Sequence, residues 1–238
     1  MPRDRSPPSP RSPNRLLAAL PRNSYLRLLR GLAPVELAFG DVLYEPGRPI
    51  RDVYFPGRSL ISLLTLVEGH LALEVGLVGS EGMVGLPLAL GVNVSPVRAL
   101  VQGAGPAMRM SAARFRTELG ASAPLQRGLH RYAHALMVQI SQTAACNRFH
   151  VVEARLARWL LMTRDRVGSG EFRMTHDFLS HMLGVRRVGV TEAASALQRR
   201  RLIEYRRGGI RILDDRGLES AACSCYEIVR DLRDVKLA

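Results

Sequence analysis

The sequence has 238 residues, 47% of them hydrophobic, and its 34 Lys and Arg against 21 Asp and Glu give a formal net charge of +13. This length and hydrophobic content exclude a chain too polar to bury a core, and they predict a globular protein. The excess of positive charge predicts a polyanionic partner, and composition alone leaves open whether that is nucleic acid or an anionic membrane surface.

Local features of the sequence argue against a secreted, a membrane-spanning and a disulfide-rich protein. The run LLAAL, residues 16–20, is too short for a signal-peptide core and stops at Pro21, and no apolar run reaches the ~20 residues of a membrane span. The three cysteines, Cys146, Cys223 and Cys225, are too few for a disulfide framework. We therefore expect a cytoplasmic protein.

The first part of the chain changes from a polar tail to a β-rich region. Residues 1–13, MPRDRSPPSPRSP, have almost nothing to bury and predict a disordered tail, and a short helix is expected from Asn14. Four strand-like runs with Gly or Pro breaks follow at residues 41–47, 52–57, 59–69 and 70–79. Such runs are typical of a small antiparallel roll or barrel, which we place within residues 14–122.

One long amphipathic helix is predicted over residues 123–148. Apolar side chains recur there every three or four residues, at Leu125, Leu129, Ala133, Leu136, Ile140 and Ala144. A helix of this kind either packs on its own domain or pairs with a second copy. Because only a modest domain follows, we favour pairing and predict these six residues as a homodimer interface.

Residues 149–238 are predicted to form a second domain. It opens with an amphipathic helix over residues 151–168, in which Trp159 is expected to lie in the core. Two shorter helices follow, because Thr175 is a good N-cap for the first and Gly184 can adopt the left-handed turn at its end.

The second of these short helices has a buried and an exposed side. Its small or aliphatic residues are spaced to face the core, at Val190, Ala193, Ala194 and Leu197. The opposite side presents Arg187, Val188, Thr191, Glu192, Ser195 and Arg199. This pattern is typical of a helix-turn-helix, whose second helix enters the major groove of DNA.

Two short strands come next, in LIEYRRGGIRIL at residues 202–213, and they predict a winged helix. From Arg173 to Arg211 the chain has nine Arg and three acidic residues, so the charge is concentrated on this module. No exposed Trp or Leu is predicted beside these arginines, which favours nucleic acid over a membrane.

At this point the sequence resembles the Crp/Fnr family of bacterial transcription regulators. The resemblance is most specific through LSHMLGVRRVGVTEAASALQRRRLIEYRRGGIRILDDRGLESAACSCYE and extends, through EGMVGLPLALG and the long helix, over residues 14–230. It implies an α+β fold: an N-terminal antiparallel β-roll of the cyclic-nucleotide-binding type that senses a signal, a dimerisation helix, and a C-terminal winged helix-turn-helix. It also implies a homodimer that binds a palindromic operator and contacts RNA polymerase.

The expected DNA contacts divide into base readout and phosphate binding. We expect Arg187 to read guanine bidentately, with Arg186 beside it; the alternative is that both only neutralise phosphates. Thr175 and His176 are expected to bind a DNA phosphate through main-chain N–H groups at a helix N-terminus. The side chain of Arg199 is expected to add another contact to the DNA phosphate backbone.

The operator sequence does not follow from the resemblance. Val188 and Glu192 stand where well-known family members carry Glu and Arg. In this chain Glu192 can accept a hydrogen bond from a cytosine amino group, Val188 can touch a thymine methyl, and Thr191 projects beside them.

The effector is also not identified. Family members that bind cyclic AMP carry a Gly-Glu pair followed by Arg-Ser or Arg-Thr, whereas here Leu86 follows Gly85 and Arg98 lies downstream of the required position. The sequence therefore argues against cyclic AMP. For an unknown small-molecule effector, the predicted contacts are Gly82, Met83, Val84, Gly85 and Arg98.

No metal site or catalytic site is predicted. Residues 1–145 contain no Cys, which argues against the N-terminal iron–sulfur cluster of some family members. Cys223 and Cys225 have the spacing of a thiol switch or half of a metal site, but we interpret them as inert because no partner ligand lies near them in the sequence. His130 and His134, one helical turn apart, have a geometry able to hold a metal, but we interpret them as an exposed pair because no third ligand is near. No nucleophile elbow or phosphate-cradling loop is present, so an enzyme is not expected. The alternative function is a ligand-binding regulatory module whose basic helix-turn-helix docks a protein or membrane partner.

Overall fold

The computed structural model describes residues 12–67, 72–206 and 208–234, so that residues 1–11 of the predicted tail lie outside it. The first half of the chain contains α1 (Arg15–Ala18), α2 (Arg22–Leu29), β1 (Ala33–Leu37), β2 (Val42–Tyr44), β3 (Asp52–Pro56), β4 (Leu60–Thr65), β5 (Leu73–Val78), a 3-10 helix (Leu86–Leu90), β6 (Arg98–Gly103) and β7 (Gly105–Ser111). The second half contains α3 (Ala112–Gly120), α4 (Ala123–Phe149), α5 (Val152–Val167), β8 (Glu171–Arg173), α6 (His176–Leu183), α7 (Arg187–Arg199), β9 (Ile203–Arg206), β10 (Gly209–Ile212), α8 (Asp215–Ala221) and α9 (Cys225–Asp234).

The strands of the first half form an antiparallel roll, as the sequence predicts. One sheet has the order β1-β7-β3, and the other has the order β2-β6-β4-β5. Their inner faces are lined by fully buried aliphatic and aromatic side chains such as Val53, Phe55 and Ile61. Burial of this apolar surface is the main force that holds the two sheets together.

Helix α4 is the predicted long helix, but its first half belongs to the core of the roll. Leu125 and Leu129 are 0% exposed and Leu136 is 7% exposed, and all three pack in the same cluster as the strands. The side chain of Gln139 fixes the helix to β5, since it accepts a hydrogen bond from the Leu77 amide at 2.7 Å and donates one to the Leu77 carbonyl at 3.1 Å. No described helix, including α4, is long and apolar enough to cross a membrane.

This packing corrects four of the six residues predicted for a homodimer interface. Leu125, Leu129, Ala133 and Leu136 fill the chain's own core, so they are not available to a second copy. Ile140 is 37% exposed and Ala144 is also exposed. The periodicity correctly identified an apolar face, and the roll covers its first four residues.

The second half packs on the roll through a continuous core. Leu60, Leu64 and Leu77 of the roll belong to the same hydrophobic cluster as Trp159 and the other buried residues of α5. An ion pair reinforces the contact, because Nε of Arg166 lies 2.8 Å from a Glu81 carboxyl oxygen and both side chains are buried. The roll therefore contacts the second half through both apolar and charged groups.

Candidate nucleic-acid interface

Helix α6 begins and ends as the sequence predicts. The Thr175 hydroxyl accepts a hydrogen bond from the Phe178 amide at 3.1 Å, which satisfies one of the free N–H groups at the helix start. Gly184 ends the helix with a φ of 60°, in the left-handed region. A Cβ at Gly184 would lie 2.5 Å from Cδ1 of Leu73, so the turn also packs closely on β5.

Helix α7 has the predicted buried and exposed sides. Val190, Ala193, Ala194 and Leu197 are buried, while Arg187, Thr191 and Glu192 are exposed and Val188 is 59% exposed. The first turn contains no acidic residue and is preceded by Arg186. Positive charge at the positive end of a helix dipole is unfavourable in the free protein, so this helix start is suited to an anion.

The His176 side chain is committed to the protein itself. Its ring stacks on Tyr205 with a centroid distance of 4.2 Å, and its Nδ1 lies 2.9 Å from the Thr191 hydroxyl, which also donates to the Arg187 carbonyl at 3.1 Å. Burial, with a smaller contribution from the charge of Arg187, lowers the pKa of His176 below its usual value. The ring therefore links α6 to α7 through Thr191 and to β9 through Tyr205. Only the backbone N–H of His176 is available to bind a phosphate.

The wing is a three-stranded sheet with the order β8-β10-β9, of which β9 and β10 were predicted. Strand β8 was missed, because three residues are too few to give a periodic signal. Arg173 and Arg206 both stand opposite Gly209 in the register, and Arg211 is exposed two residues further along β10. The predicted turn residue Arg207 lies outside the described residues.

The exposed arginines differ in whether they have an acidic partner. Arg200 pairs with Glu153 at 2.7 Å, and Arg206 pairs with Glu204 at 2.9 Å. Arg186, Arg187 and Arg199 form no ion pair within the part of the chain that the structure describes. Their charges are therefore not neutralised by the protein.

The five predicted effector contacts lie in the roll around the 3-10 helix: Gly82, Met83, Val84, Gly85 and Arg98. Met83 and Val84 are each 1% exposed. A Cβ at Gly82 would lie 2.0 Å from the ring of Tyr132, so this backbone is packed directly against α4. Arg98 pairs with Glu45 at 3.0 Å. The predicted effector residues named here are thus buried or paired with other residues of the chain.

The structure corrects the interpretation of Cys223 and Cys225 as thiols without partner ligands. The fold brings Cys146 and His150, from the end of α4, next to them, and the four ligand atoms all lie within 4.8 Å of one another. The spacings Cys-x3-His and Cys-x-Cys were the available signal in the sequence. His130 and His134 are exposed on α4, as predicted.

Comparison with known proteins supports the same assignment of the module. Residues 154–221 match the family described as the Crp-like helix-turn-helix domain. No curated protein sequence gives a significant match.

Three solved structures with a similar fold illustrate the extent of the likeness. A protein from Eubacterium rectale described as a transcriptional regulator of the Crp/Fnr family is 16% identical, with a TM-score of 0.68, over 87% of this chain and 96% of that one. FixK2 from Bradyrhizobium japonicum is 13% identical, with a TM-score of 0.69, over 81% and 98%. The c-di-GMP responsive global regulator CLP of Xanthomonas campestris is 18% identical, with a TM-score of 0.66, over 81% and 99%. At these identities the likeness shows a shared fold.

Proposed function

The chain carries a Crp-like helix-turn-helix domain and has the fold of the Crp/Fnr regulators, and on this basis we propose that it is a homodimeric, sequence-specific DNA-binding regulator of transcription. Such a regulator acts in the cytoplasm, where it binds double-stranded operator DNA and contacts RNA polymerase. The observation that carries the proposal is the exposed face of α7, where Arg187, Val188 and Glu192 lie beside arginines without acidic partners.

The chemistry of this face fits the major groove. An exposed Arg can bond guanine O6 and N7 together, a carboxylate can accept from a cytosine amino group, and an aliphatic group can contact a thymine methyl. In this chain Arg187, Glu192 and Val188 supply these three groups on one helix. The free N–H groups at the start of α6 and the unpaired Arg186 and Arg199 supply phosphate contacts that fix the register.

We propose that the second copy binds along the exposed side of α4, at Met137 and at the two predicted residues that are not buried, Ile140 and Ala144. Met137 is 65% exposed and Ile140 is 37% exposed, and Ala144 lies two helical turns beyond Met137 on the same side. These apolar residues are exposed in the single chain, and pairing with a symmetry-related helix would remove them from water. A two-fold dimer then presents two copies of α7 to half-sites centred ~34 Å apart, one turn of DNA.

We propose further that the roll does not respond to cyclic AMP. The backbone at Gly82 is packed on Tyr132, the backbone of Val84 exchanges hydrogen bonds with Tyr54 at 2.8 and 3.1 Å, and Arg98 is paired with Glu45. A cyclic phosphate would have to displace these contacts. Calorimetric titration with cyclic AMP should show no binding, and saturable binding of one cyclic AMP per chain would contradict this part of the proposal.

Footprinting on genomic fragments tests the main proposal. The full chain should protect an inverted repeat whose half-sites are one helical turn apart, and its affinity for that repeat should exceed its affinity for unrelated duplex at the same salt concentration. Uniform affinity for all duplexes, with no protected repeat, would contradict sequence-specific regulation.

A further inference from the structure

Four side chains with metal-binding atoms meet where the end of α4 contacts the segment between α8 and α9. Cys146 and His150 lie one helical turn apart at the end of α4, and Cys223 and Cys225 lie at the start of α9; we call these residues the Cys3His cluster. The Sγ atoms of Cys146 and Cys223 are 3.5 Å apart, and Sγ of Cys225 is 3.4 Å from Nδ1 of His150. The cluster thus joins residues that are far apart in the sequence.

These distances fit one tetrahedral metal ion. With Zn–S bonds of ~2.3 Å and a Zn–N bond of ~2.0 Å, two sulfur ligands lie ~3.8 Å apart and a sulfur and a nitrogen ligand ~3.5 Å apart. The two contacts in the cluster, 3.5 and 3.4 Å, are close to these values. We propose that the chain binds a single Zn²⁺ ion, with the ligands Cys146, His150, Cys223 and Cys225.

The burial and size of the cluster indicate a closed structural site. Cys146 and Cys225 are 0% exposed, and His150 and Cys223 are partly buried. Four protein ligands complete the coordination of zinc, whereas a catalytic zinc keeps one position for water. An iron–sulfur cluster places several iron and sulfide atoms between its ligands, so ligand atoms within 4.8 Å of one another favour a single ion.

The surroundings of the cluster compensate its charge. Three thiolates and one Zn²⁺ carry a single net negative charge, which is costly to bury alone. Arg155 and Arg158 are 5% and 4% exposed, interact electrostatically with Cys146 and Cys223, and each has a buried Nε without a hydrogen-bond partner within the described chain. Two buried guanidinium groups therefore lie beside the site and can offset its net negative charge.

A hydrogen bond also orients one of the sulfur ligands. Nε2 of Gln142 donates to Sγ of Cys225 at 3.0 Å, one turn before Cys146 on α4. Such contacts fix the ligand and reduce the charge on a thiolate sulfur. Gln142 is thus expected to act as a positioning residue for the metal.

The bound ion would tie α9 to the end of α4, next to the point where α5 begins. Helix α4 ends at Phe149 and α5 starts at Val152, so the angle between α4 and α5 is set beside the cluster. Metal binding is therefore expected to stabilise this junction. The site does not depend on whether α7 binds DNA.

Metal analysis of the full chain, purified in a thiol-reducing buffer, provides the first test. The protein should contain about one zinc per chain, released when a mercurial reagent blocks the thiolates and detected with a metallochromic dye. Protein stripped with a chelator at low pH should take up Co²⁺ and give the intense visible bands and sulfur-to-cobalt charge-transfer absorption of a tetrahedral thiolate site. Because the thiols must lose their protons, Co²⁺ affinity should rise with pH.

Variants define the ligands. Cys223→Ser and His150→Gln should lose stoichiometric zinc, Cys223→His should retain it, and Gln142→Leu should weaken Co²⁺ affinity by ~10-fold. The matched control is His134→Gln, which removes an exposed histidine from the same helix and should leave the metal content unchanged.

Three results would overturn the proposal. They are failure of the reduced, stripped wild-type protein to take up Zn²⁺ or Co²⁺, full zinc retention by Cys223→Ser, and isolation of the chain with an iron–sulfur cluster at these cysteines. If a ligand variant does not fold, the Co²⁺ titration of the wild-type protein still shows whether the chain binds a metal ion.

Discussion

The indole Nε1 of Trp159 donates a hydrogen bond of 2.8 Å to Oε1 of Glu74, and this bond joins α5 to the roll. The Trp159 and Glu74 side chains are 2% and 6% exposed, and the hydroxyl of Ser62 lies 2.7 Å from the other carboxyl oxygen. Burial raises the pKa of Glu74 to about 7, against an ordinary value of 4.5. An ionisable group with a pKa near neutrality therefore lies within the contact between the two halves.

This burial makes stability depend on pH in a defined direction. Because the pKa of Glu74 is higher in the folded state than in the unfolded state, the folded state binds more protons between pH 4.5 and about 7. The free energy of unfolding should therefore fall as pH rises through this window, by at most about 3 kcal/mol from this group. Urea unfolding at a series of pH values measures the change.

The variant Glu74→Gln isolates the contribution of this carboxyl group. A neutral amide can still accept from Trp159, so the decrease in stability between pH 4.5 and 7 should become smaller. The control Glu36→Gln removes an exposed carboxyl group from β1 and should leave the slope unchanged. An identical slope in wild-type protein and Glu74→Gln would show that another group is responsible.

The helix-turn-helix could be predicted from the sequence because its signals are local. Thr175, Gly184 and the apolar residues of α7 lie within a few turns of one another, and capping and periodicity follow from neighbouring residues alone. The Cys3His cluster and the Trp159–Glu74 bond could not be predicted in this way. They join residues 77 and 85 positions apart, and only the packing of α9 on α4 and of α5 on the roll brings them together.

The long helix shows an intermediate case. The spacing of Leu125, Leu129 and Leu136 correctly predicts that one side of α4 is buried, since a 3.6-residue period determines which residues share a face. The same spacing carries no information about what covers that face. Here the roll covers it, whereas Met137 and Ile140 on α4 remain exposed.

Arg187→Ala should weaken binding to the protected repeat far more than binding to unrelated duplex. A bidentate contact with guanine contributes ~1–3 kcal/mol of discrimination, which corresponds to a loss of ~5–150-fold in specific affinity. Fluorescence anisotropy with both duplexes at one salt concentration gives the two affinities. Arg48→Ala, on the exposed surface of the roll, removes the same charge and serves as the control. Equal losses on both duplexes would assign Arg187 to phosphate binding.

Thr175→Ala should destabilise α6, because the Phe178 amide loses the hydroxyl that accepts its hydrogen bond at 3.1 Å. Loss of an N-cap costs ~1 kcal/mol, which lowers the melting temperature of a chain of this size by ~2–4 °C. Thr175→Ser keeps the hydroxyl and should behave as wild type in calorimetry and in DNA binding. If Thr175→Ser lost as much stability as Thr175→Ala, the methyl group rather than the cap would be responsible.

Met137→Glu tests which side of α4 the second copy covers. The Met137 side chain is 65% exposed in the single chain, so the substitution should not disturb the fold, but it would place two like charges within a symmetric helix pair. Light scattering after size-exclusion chromatography should show wild-type dimers and Met137→Glu monomers with unchanged circular dichroism, and affinity for the inverted repeat should fall because one half-site contact is lost. Leu90→Glu, at an apolar residue of the 3-10 helix that is 60% exposed, adds the same charge to the roll and should leave the dimer intact. A Met137→Glu protein that remains dimeric would place the interface elsewhere on the molecule.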